Sequence, residues 1–574
     1  MTNVSQEDEQ QPDQVGRWSR VRRLMTSLPI FVILMGILVS VSHLTAVPWK
    51  YDPVDQNFPT LTPDTSVTFD NPDGIHLDKM GDYRVKAHHE TVTAVREGTD
   101  ERQEIRVQIR EPLGVQGERP GVVFMHGAGY GTCDNSFGDV AETLASAGFV
   151  TAVLDKPVWS TTDANRDYPA SARAYDQIIN LLRAKQNVDP ARVGIYATSE
   201  STWISSFLLS MDKDVAFQIL LSPMVYSPRH AVGFFVAQDF AIAGANQGYQ
   251  SVVRRLFSTD ASLFNINSLD IDPTDENTYA IPTLLAYGAK DVMTAQVEGV
   301  QRVLAEAHAA GNENVTVRSY AVSNHVLRLG DEANTGTPLA DHYQEDMTSW
   351  AVGQANGLRQ TSPSVGGATI HQSIAVPTDL RGRPVLTVYM LALHILTFLL
   401  LLISLVLALV AGGVKIHHLI RHKGPALGFS HGFGGSLATV TGTTLASLVL
   451  FAAGLGQVIM AVVKLGWGGV PDPAGVSYWS WPVIQVVCAL VIWAWSRIFT
   501  RMAEVASFKG VSQIPSQLKA HRAGGPTVAQ QMRSNDPQPV VASTRLGLAL
   551  FIVTTLAMFG VLLIFAFWGL FIYY

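Results

Sequence analysis

Apolar and polar positions divide the chain into three stretches. Residues 28–47 form a mostly apolar run without Lys, Arg, Asp or Glu, and about 20 such residues cross roughly 30 Å of hydrocarbon as a helix. Four further apolar runs, each long enough to span, lie at 385–414, 434–463, 481–498 and 546–571. Between the first run and the second, short β-branched segments alternate with stretches of helical periodicity, separated by Gly or Pro. Strands are predicted at 83–95, 104–110, 121–125, 150–154, 193–196, 215–221, 283–287 and 315–321. Helices are predicted at 171–185 and 295–310, and one at 339–354 closes the domain. Two strands of antiparallel type followed by regular strand–helix alternation predict an α/β domain, its sheet mainly parallel and covered on both faces.

The expected organisation is a tail at 1–27, a transmembrane helix at 28–47, an α/β domain at 48–383 and a membrane domain at 384–574 holding the other four helices. Within the α/β domain, residues 225–280 lose the strand–helix rhythm and carry Phe234, Phe235, Phe240, Phe257 and Phe264. This segment reads as an insertion or lid over the site, or as one whose aromatics pack a core of their own.

Composition agrees with a chain partly in lipid: of 574 residues, 47% are hydrophobic and 16% charged, with a formal net charge of −7. That balance carries no basic footprint for nucleic acid. Cys133 and Cys488 are the only cysteines, so neither a disulfide scaffold nor a cysteine-based metal site is expected, and no metal or cofactor is implied.

Lys and Arg orient the helices. A basic cluster (Arg17, Arg20, Arg22, Arg23) precedes the first run, KIHHLIRHKG spans 415–424, and 497–545 includes Arg501, Lys509, Lys519, Arg522 and Arg533, whereas 466–481 has no Lys or Arg. The positive-inside rule then puts the N-terminus in the cytoplasm, runs the first helix outward and sets residues 48–383 outside a cytoplasmic membrane; Arg381 and Arg383 are a mild exception. Trp479, Trp481, Tyr573 and Tyr574 fall at interfacial depth. The order of basic cluster and apolar run is shared with cleaved signal peptides, but this run is longer than a signal core of about 7–15 residues, which favours a retained helix. Residues 1–16 are polar and read as a disordered tail. His417, His418 and His422 sit among Lys and Arg and read as a topology signal or lipid contact rather than a metal site. His43 and His394 lie inside apolar runs, where an ionisable residue is a functional candidate, although no Asp or Glu accompanies them.

The strongest chemical signal is DPARVGIYATSEST, from Asp189 to Thr202. A short apolar strand runs into Ser199 and then into an apolar helical stretch, the layout that pushes a nucleophilic serine out on a strained turn. A second strand ends in His126-Gly127-Ala128-Gly129-Tyr130-Gly131. A Gly-rich turn there brings backbone N–H groups of Ala128 and Gly129 toward a bound carbonyl oxygen, with the N–H of Glu200 completing an oxyanion hole. No Lys-Ser/Thr follows, which argues against a phosphate loop. IPTLLAYGAKDVMT sets Asp291 after one apolar strand, and VRSYAVSNHVLRL sets His325 after the next. Serine, acid and histidine follow one another in that order along the chain, each after an apolar strand. Cys133, close to the Gly-rich turn, has no basic neighbour in sequence and reads as a spectator.

On HGAG, ATSES, GAKD and SNH, residues from about 121 to 354 resemble the α/β-hydrolase superfamily, in particular its dienelactone-hydrolase and prolyl-oligopeptidase-like members. The resemblance covers about two-fifths of the chain and none of the apolar C-terminal part. It implies a Ser199–His325–Asp291 triad, with serine attacking a carbonyl, histidine taking and returning the proton, and aspartate fixing the imidazole. Ala197 and Ser201 stand where such proteins usually have glycine, and side chains there are expected to crowd the turn. The expected activity is serine-esterase chemistry through an acyl-enzyme on an ester or lipid of the cell envelope, with membrane lipid as surroundings. An acyltransferase or peptidase would use the same triad. The alternative outside enzymology is a membrane scaffold or transport-associated protein whose hydrolase fold is inactive.

Overall fold

The structure, a computed structural model, describes residues 18–48, 53–160, 165–272, 275, 277–330, 337–424, 426–430, 432–467, 469–470, 475–508 and 541–572. The tail at 1–16, Arg17, Lys509, Lys519, Arg522, Arg533, Tyr573 and Tyr574 lie outside the described residues.

In chain order, α1 (Arg20–Leu44) precedes β1 (Pro53–Phe58), β2 (Phe69–Asp70), β3 (Val85–Val95), β4 (Arg102–Pro112) and β5 (Arg119–Met125). Alternation follows with α2 (Gly138–Ser146), β6 (Val150–Leu154), α3 (Tyr168–Arg183), β7 (Val188–Thr198), α4 (Ser201–Met211) and β8 (Gln218–Leu221). The helices α5 (Pro228–Ile242) and α6 (Gln247–Phe257) interrupt it before β9 (Thr283–Gly288), α7 (Gln296–Ala309), β10 (Val315–Tyr320) and α8 (Tyr343–Ala355). Three short strands, β11 (Arg359–Gln360), β12 (Val365–Gly367) and β13 (Ile370–Ile374), lead to α9 (Pro384–Ile420), α10 (Phe433–Gly466), α11 (Val476–Phe508) and α12 (Arg545–Phe567).

The nine-stranded sheet has the order β12-β10-β9-β8-β7-β5-β6-β4-β3. β3 pairs antiparallel with β4 and β4 antiparallel with β6, while the other pairs are parallel. Burial follows from this. Along β4, Ile105, Val107 and Ile109 are buried between more exposed neighbours, the period of a half-covered strand. Every residue of β6, β9 and β10 is buried, as parallel strands covered on both faces require. One face packs on α3, α4 and α7 through Tyr175, Ile178, Trp203, Leu208, Val300 and Val303. The other packs on α2 and α8 through Leu144, Tyr343, Met347 and Trp350. The expected strands and parallel sheet are present, but the helix expected to close the domain does not close it. After α8, β12 adds a parallel edge strand beside β10 and β13 pairs antiparallel with β1. β11 and β12 are only two and three residues long, too short to show a period.

Among the described residues, five helices are long and apolar enough to cross a membrane: α1, α9, α10, α11 and α12. With 37 residues in α9 and 34 in α10, these run about 55 and 51 Å, well beyond a hydrocarbon core of about 30 Å. The insertion is gripped by α10, α11 and α12. Phe234, Phe240, Tyr249 and Val253 of α5 and α6 share a core with Val458, Val462, Trp481, Ile484 and Phe565 of the apolar helices. Phe234 and Phe240 thus pack against the apolar helices, while Phe264 remains 46% exposed. Polar contacts seal the junction: the Tyr249 and Ser480 hydroxyls lie 2.8 Å apart, and Arg255 Nη2 donates to the Ser42 carbonyl at 2.9 Å. His394, a functional candidate from sequence, is a bridge in the fold. Its Nε2 accepts from Trp568 Nε1 at 3.1 Å, so Nδ1 carries the proton and donates to the Met390 carbonyl at 2.7 Å.

Gly248 marks the tightest point of the junction, since a Cβ there would fall 1.9 Å from Trp481 Cε2. Gly248→Ala is expected to lower the melting temperature of the detergent-solubilised protein and speed proteolysis within α5–α6. Adding Trp481→Ala should recover part of that loss, because the two residues are in contact. Simple additivity of the two losses would refute this packing.

Candidate active site

Ser199 follows β7 and begins the turn into α4 with φ of 52°, a left-handed conformation uncommon for a residue with a side chain. Local hydrogen bonds hold it. Its N–H donates to the Leu221 carbonyl at 2.9 Å, and its own carbonyl accepts from the Thr202 N–H and hydroxyl at 3.0 and 2.7 Å. Ser201, fully buried, does not crowd the turn as expected. Its hydroxyl accepts from the Thr198 N–H at 2.8 Å and lies 2.9 Å from the carbonyl oxygens of both Thr198 and Met125. The side chain that replaces glycine thus staples the turn to the end of β5. Ala197 is buried within β7, beside Met125 of β5 and Leu220 of β8.

His325 follows β10 and Asp291 follows β9, so both converge with Ser199 at the carboxyl ends of parallel strands. His325 Nε2 lies 2.9 Å from Ser199 Oγ, and His325 Nδ1 lies 3.0 Å from Asp291 Oδ1. Burial pushes the Asp291 carboxyl up, but the adjacent His325, the Thr294 hydroxyl and the Met293 N–H outweigh it and hold the group below the usual carboxylate range. Thr294 donates to Oδ2 at 2.5 Å and Met293 N–H to Oδ1 at 2.8 Å. All three residues are under 10% exposed, so the constellation is shielded from bulk water.

Around Ser199, Gly127 approaches so closely that a Cβ there would fall 3.4 Å from Ser199 Cβ. Ala128 and Gly129 follow on an exposed turn, with Gly129 at φ of 88°. Among the described residues, the N–H groups of Ala128, Gly129 and Glu200 have no protein acceptor. His126, although next to the turn, is no base: burial above all pushes its imidazole down to about 4, and it faces the Leu154 carbonyl through Nε2 at 2.5 Å. Burial, aided by Asp155, pushes the Cys133 thiol up to about 12, which makes it unreactive. Cys133, His89 and Asp134 bring potential ligand atoms within 4.8 Å of one another. Asp134, however, is already engaged by His89 at 2.8 Å and Arg106 at 3.0 Å, a poor fit to a cation.

Two features here had no counterpart in the expectations from sequence. Lys156, buried after β6, donates through Nζ to the Gly127 carbonyl at 2.5 Å and to Glu200 Oε2 at 2.8 Å, while its N–H donates to the Gly131 carbonyl at 2.9 Å. One residue therefore braces both ends of the Gly-rich turn and the residue after Ser199. Arg166 Nε adds a second cation 3.0 Å from Glu200 Oε1. The signal was a charged residue two positions past the apolar strand VTAVL. The recess lined by Lys156, Arg166 and Glu200 holds about 20 Å³, room for water rather than an acyl group.

The second feature is Asp239 on α5, fully buried, with neither carboxylate oxygen bonded among the described residues. Burial first, and the nearby Asp291 second, push its carboxyl up to about 8. Between about pH 4 and 8 the folded chain keeps a proton that the unfolded chain has released. The group's contribution to stability is thus complete below about pH 4 and is lost as pH rises through 8. Asp239→Asn should therefore be more stable than wild type at pH 9, with a gap that opens above about pH 4 and levels off beyond pH 8. Thermal unfolding across that range reads it, and a gap independent of pH would refute the assignment.

No protein-family model matches the sequence, and no curated protein matches it. Among solved structures, the chain is similar to a putative dipeptidyl aminopeptidase IV from Bacteroides ovatus, at 13% identity and a TM-score of 0.34 over 50% of this chain and 37% of that one. It is also similar to a putative dienelactone hydrolase from Klebsiella pneumoniae (11%, TM-score 0.30, 46% of this chain and 95% of that one). A cold-adapted esterase from an Arctic intertidal metagenomic library matches at 12% and a TM-score of 0.25, over 45% of this chain and 91% of that one. The fold can be read from the chain's own features: a parallel sheet with β4 reversed and β5 and β6 exchanged in order, a sharp turn from β7 to α4 at Ser199, and Asp291 and His325 after later strands. The domain has the α/β-hydrolase fold, joined to five long apolar helices.

Proposed function

We propose that this chain is a membrane-anchored serine hydrolase that cleaves ester bonds of amphiphilic, envelope-lipid-like substrates outside the cytoplasm. The observation that carries the reading is the line Ser199 Oγ, His325 Nε2, His325 Nδ1, Asp291 Oδ1, with separations of 2.9 and 3.0 Å at its two junctions. Ser199 Oγ attacks the acyl carbonyl as His325 Nε2 takes its proton. Asp291 holds the imidazole orientation and stabilises its charged form. The N–H groups of Glu200, Ala128 and Gly129 receive the developing oxyanion. Collapse breaks the bond from the acyl carbon to the leaving oxygen, His325 returns the proton to the alcohol, and water, activated by His325, releases the acid. Lys156 keeps the two halves of the oxyanion hole in register, through the Gly127 carbonyl on one side and Glu200 on the other.

Two observations support a lipid-like substrate. The α5–α6 segment lies between the acid loop and the apolar helices: Gln238 Nε2 donates to the Val292 carbonyl at 3.0 Å, while Phe234 and Phe240 face Val458 and Val462. Met293, two residues beyond Asp291, packs at Gly466 at the end of α10. The outward orientation rests on charge. Arg20, Arg22 and Arg23 open α1, Lys415, Arg421 and Lys423 lie at the end of α9, and Arg497 and Arg501 lie near the end of α11.

The test is a nitrophenyl-ester series from acetyl to dodecanoyl, run against aminoacyl nitroanilides on the full-length protein in detergent. Esters should be preferred with a rate that rises with chain length, and Ser199→Ala should lose at least about 10³-fold. Lys156→Met should lower kcat by about 10²-fold with little change in KM, the mark of a group acting through the oxyanion hole rather than through substrate binding. Preference for the amides would overturn the ester reading, and turnover by Ser199→Ala would overturn the nucleophile.

A further inference from the structure

On the side of the helices opposite the α/β domain, α1, α10 and α11 enclose a cavity of about 580 Å³. Arg20 and Arg23 of α1 and Arg497 and Arg501 of α11 line it. Positions 20, 23, 24 and 27 share one face of α1, and 493, 497, 500, 501 and 504 share one face of α11, so both helices turn basic residues toward the same space. Among the described residues, charge in its lining is unbalanced. Glu504, whose side chain is fully buried, pairs with Arg23 at 2.8 Å and with Arg501 at 2.7 Å and also accepts from the Trp18 N–H at 2.8 Å. Among the described residues, no carboxylate pairs with Arg20 or Arg497. Among the described residues, the lining therefore carries four guanidinium groups and one carboxylate. Toward the apolar centre of the bundle the walls change to Leu24, Ser27 and Trp493, and Trp493 packs edge-on against Phe31 at 6.1 Å. The cavity is cationic where lipid headgroups lie and apolar where acyl chains begin.

We propose that this cavity is a binding site for the phosphate group of an anionic phospholipid, with Arg20 and Arg497 as its principal ligands and the Leu24–Trp493 wall against the first carbons of the chains. The site is distinct from the Ser199 centre and rests on the five helices crossing a membrane. Arg is suited to it because a planar guanidinium meets two phosphate oxygens at once. Basic pockets between helices on the cytoplasmic side are places where anionic headgroups dock. Glu504 acts separately, holding Arg23 and Arg501 and fixing the start of α1 to the end of α11, so the pocket keeps its shape with or without lipid.

The experiment uses full-length protein in neutral detergent, titrated with dioleoyl-phosphatidylglycerol, dioleoyl-phosphatidylcholine or inorganic phosphate, and read by native mass spectrometry and thermal unfolding. Phosphatidylglycerol should remain bound and raise the melting temperature by about 3 °C or more at saturation, and the shift should shrink as salt rises. Arg20→Gln with Arg497→Gln should weaken retention of phosphatidylglycerol at least tenfold, and Arg20→Lys with Arg497→Lys should recover part of it. Comparing lipid-free melting temperatures separates loss of the site from loss of the fold: should the Gln pair melt far below wild type without lipid, the Lys pair alone decides, through its retention relative to wild type. Equal retention of phosphatidylcholine, or unchanged retention in the variants, would overturn the site. A shift of the same size with inorganic phosphate alone would overturn its assignment to lipid.

Discussion

Ser199 is held in the left-handed region at φ of 52°, a conformation that costs a residue with a side chain of order 1–3 kcal/mol. The surroundings that impose it also set the rest of the site. The Leu221 carbonyl at the end of β8 takes the Ser199 N–H, Thr202 takes its carbonyl, and Ser201 ties the turn back to β5. Because β5, β7 and β8 are neighbours in the sheet, the strain at one residue is borne by three strands. The same strand ends present the Gly-rich turn after β5 and, further along the sheet, the acid and histidine loops after β9 and β10. Lys156 then locks the Gly-rich turn to Glu200, using the end of β6 as its base.

The second constraint is the junction with the apolar helices. A hydrolase domain tethered by flexible linkers would sample many orientations, but here α5 and α6 are built into the core of the helix bundle, with Gly248 against Trp481 and Arg255 reaching Ser42. The acid loop joins the same junction through Gln238 and Met293. The loop that carries Asp291, the α5–α6 segment and the neighbouring helix ends are thus parts of one packed body rather than a domain at the end of a tether.

Much of this was legible in the sequence because it depends on local patterns. Apolar runs of eighteen residues or more announce the helices, and the mostly apolar strands VTAVL and TLLAYG announce a sheet covered on both faces. Ser199, Asp291 and His325 stood out because each follows such a strand, and the structure brings these three side chains together. What was not legible depends on distant partners. β11, β12 and β13 exist because β2, an edge of the sheet and β1 respectively offer pairing partners, not because two- to five-residue segments show a period. Ser201 looks like an obstacle in sequence, and only the Met125 carbonyl, 76 positions away in the chain, makes it a support. Lys156 shows in the sequence only as a charge two positions past VTAVL, and its role emerges only where Gly127 and Glu200 converge on its ammonium group. The aromatics of the insertion gave no hint that their partners lie more than two hundred residues downstream, in α10 and α11.

The central claim is that Ser199 is a nucleophile activated by the packed line to His325 and Asp291. The most direct measurement is covalent capture: the full-length protein, kept in detergent that preserves the helix bundle, is treated with a fluorophosphonate, digested and mapped by mass spectrometry. The account predicts one stoichiometric phosphonyl adduct on Ser199, formed at least a hundredfold more slowly in His325→Ala. An unmodified Ser199, an adduct on another serine, or an adduct whose rate ignores His325 would contradict it.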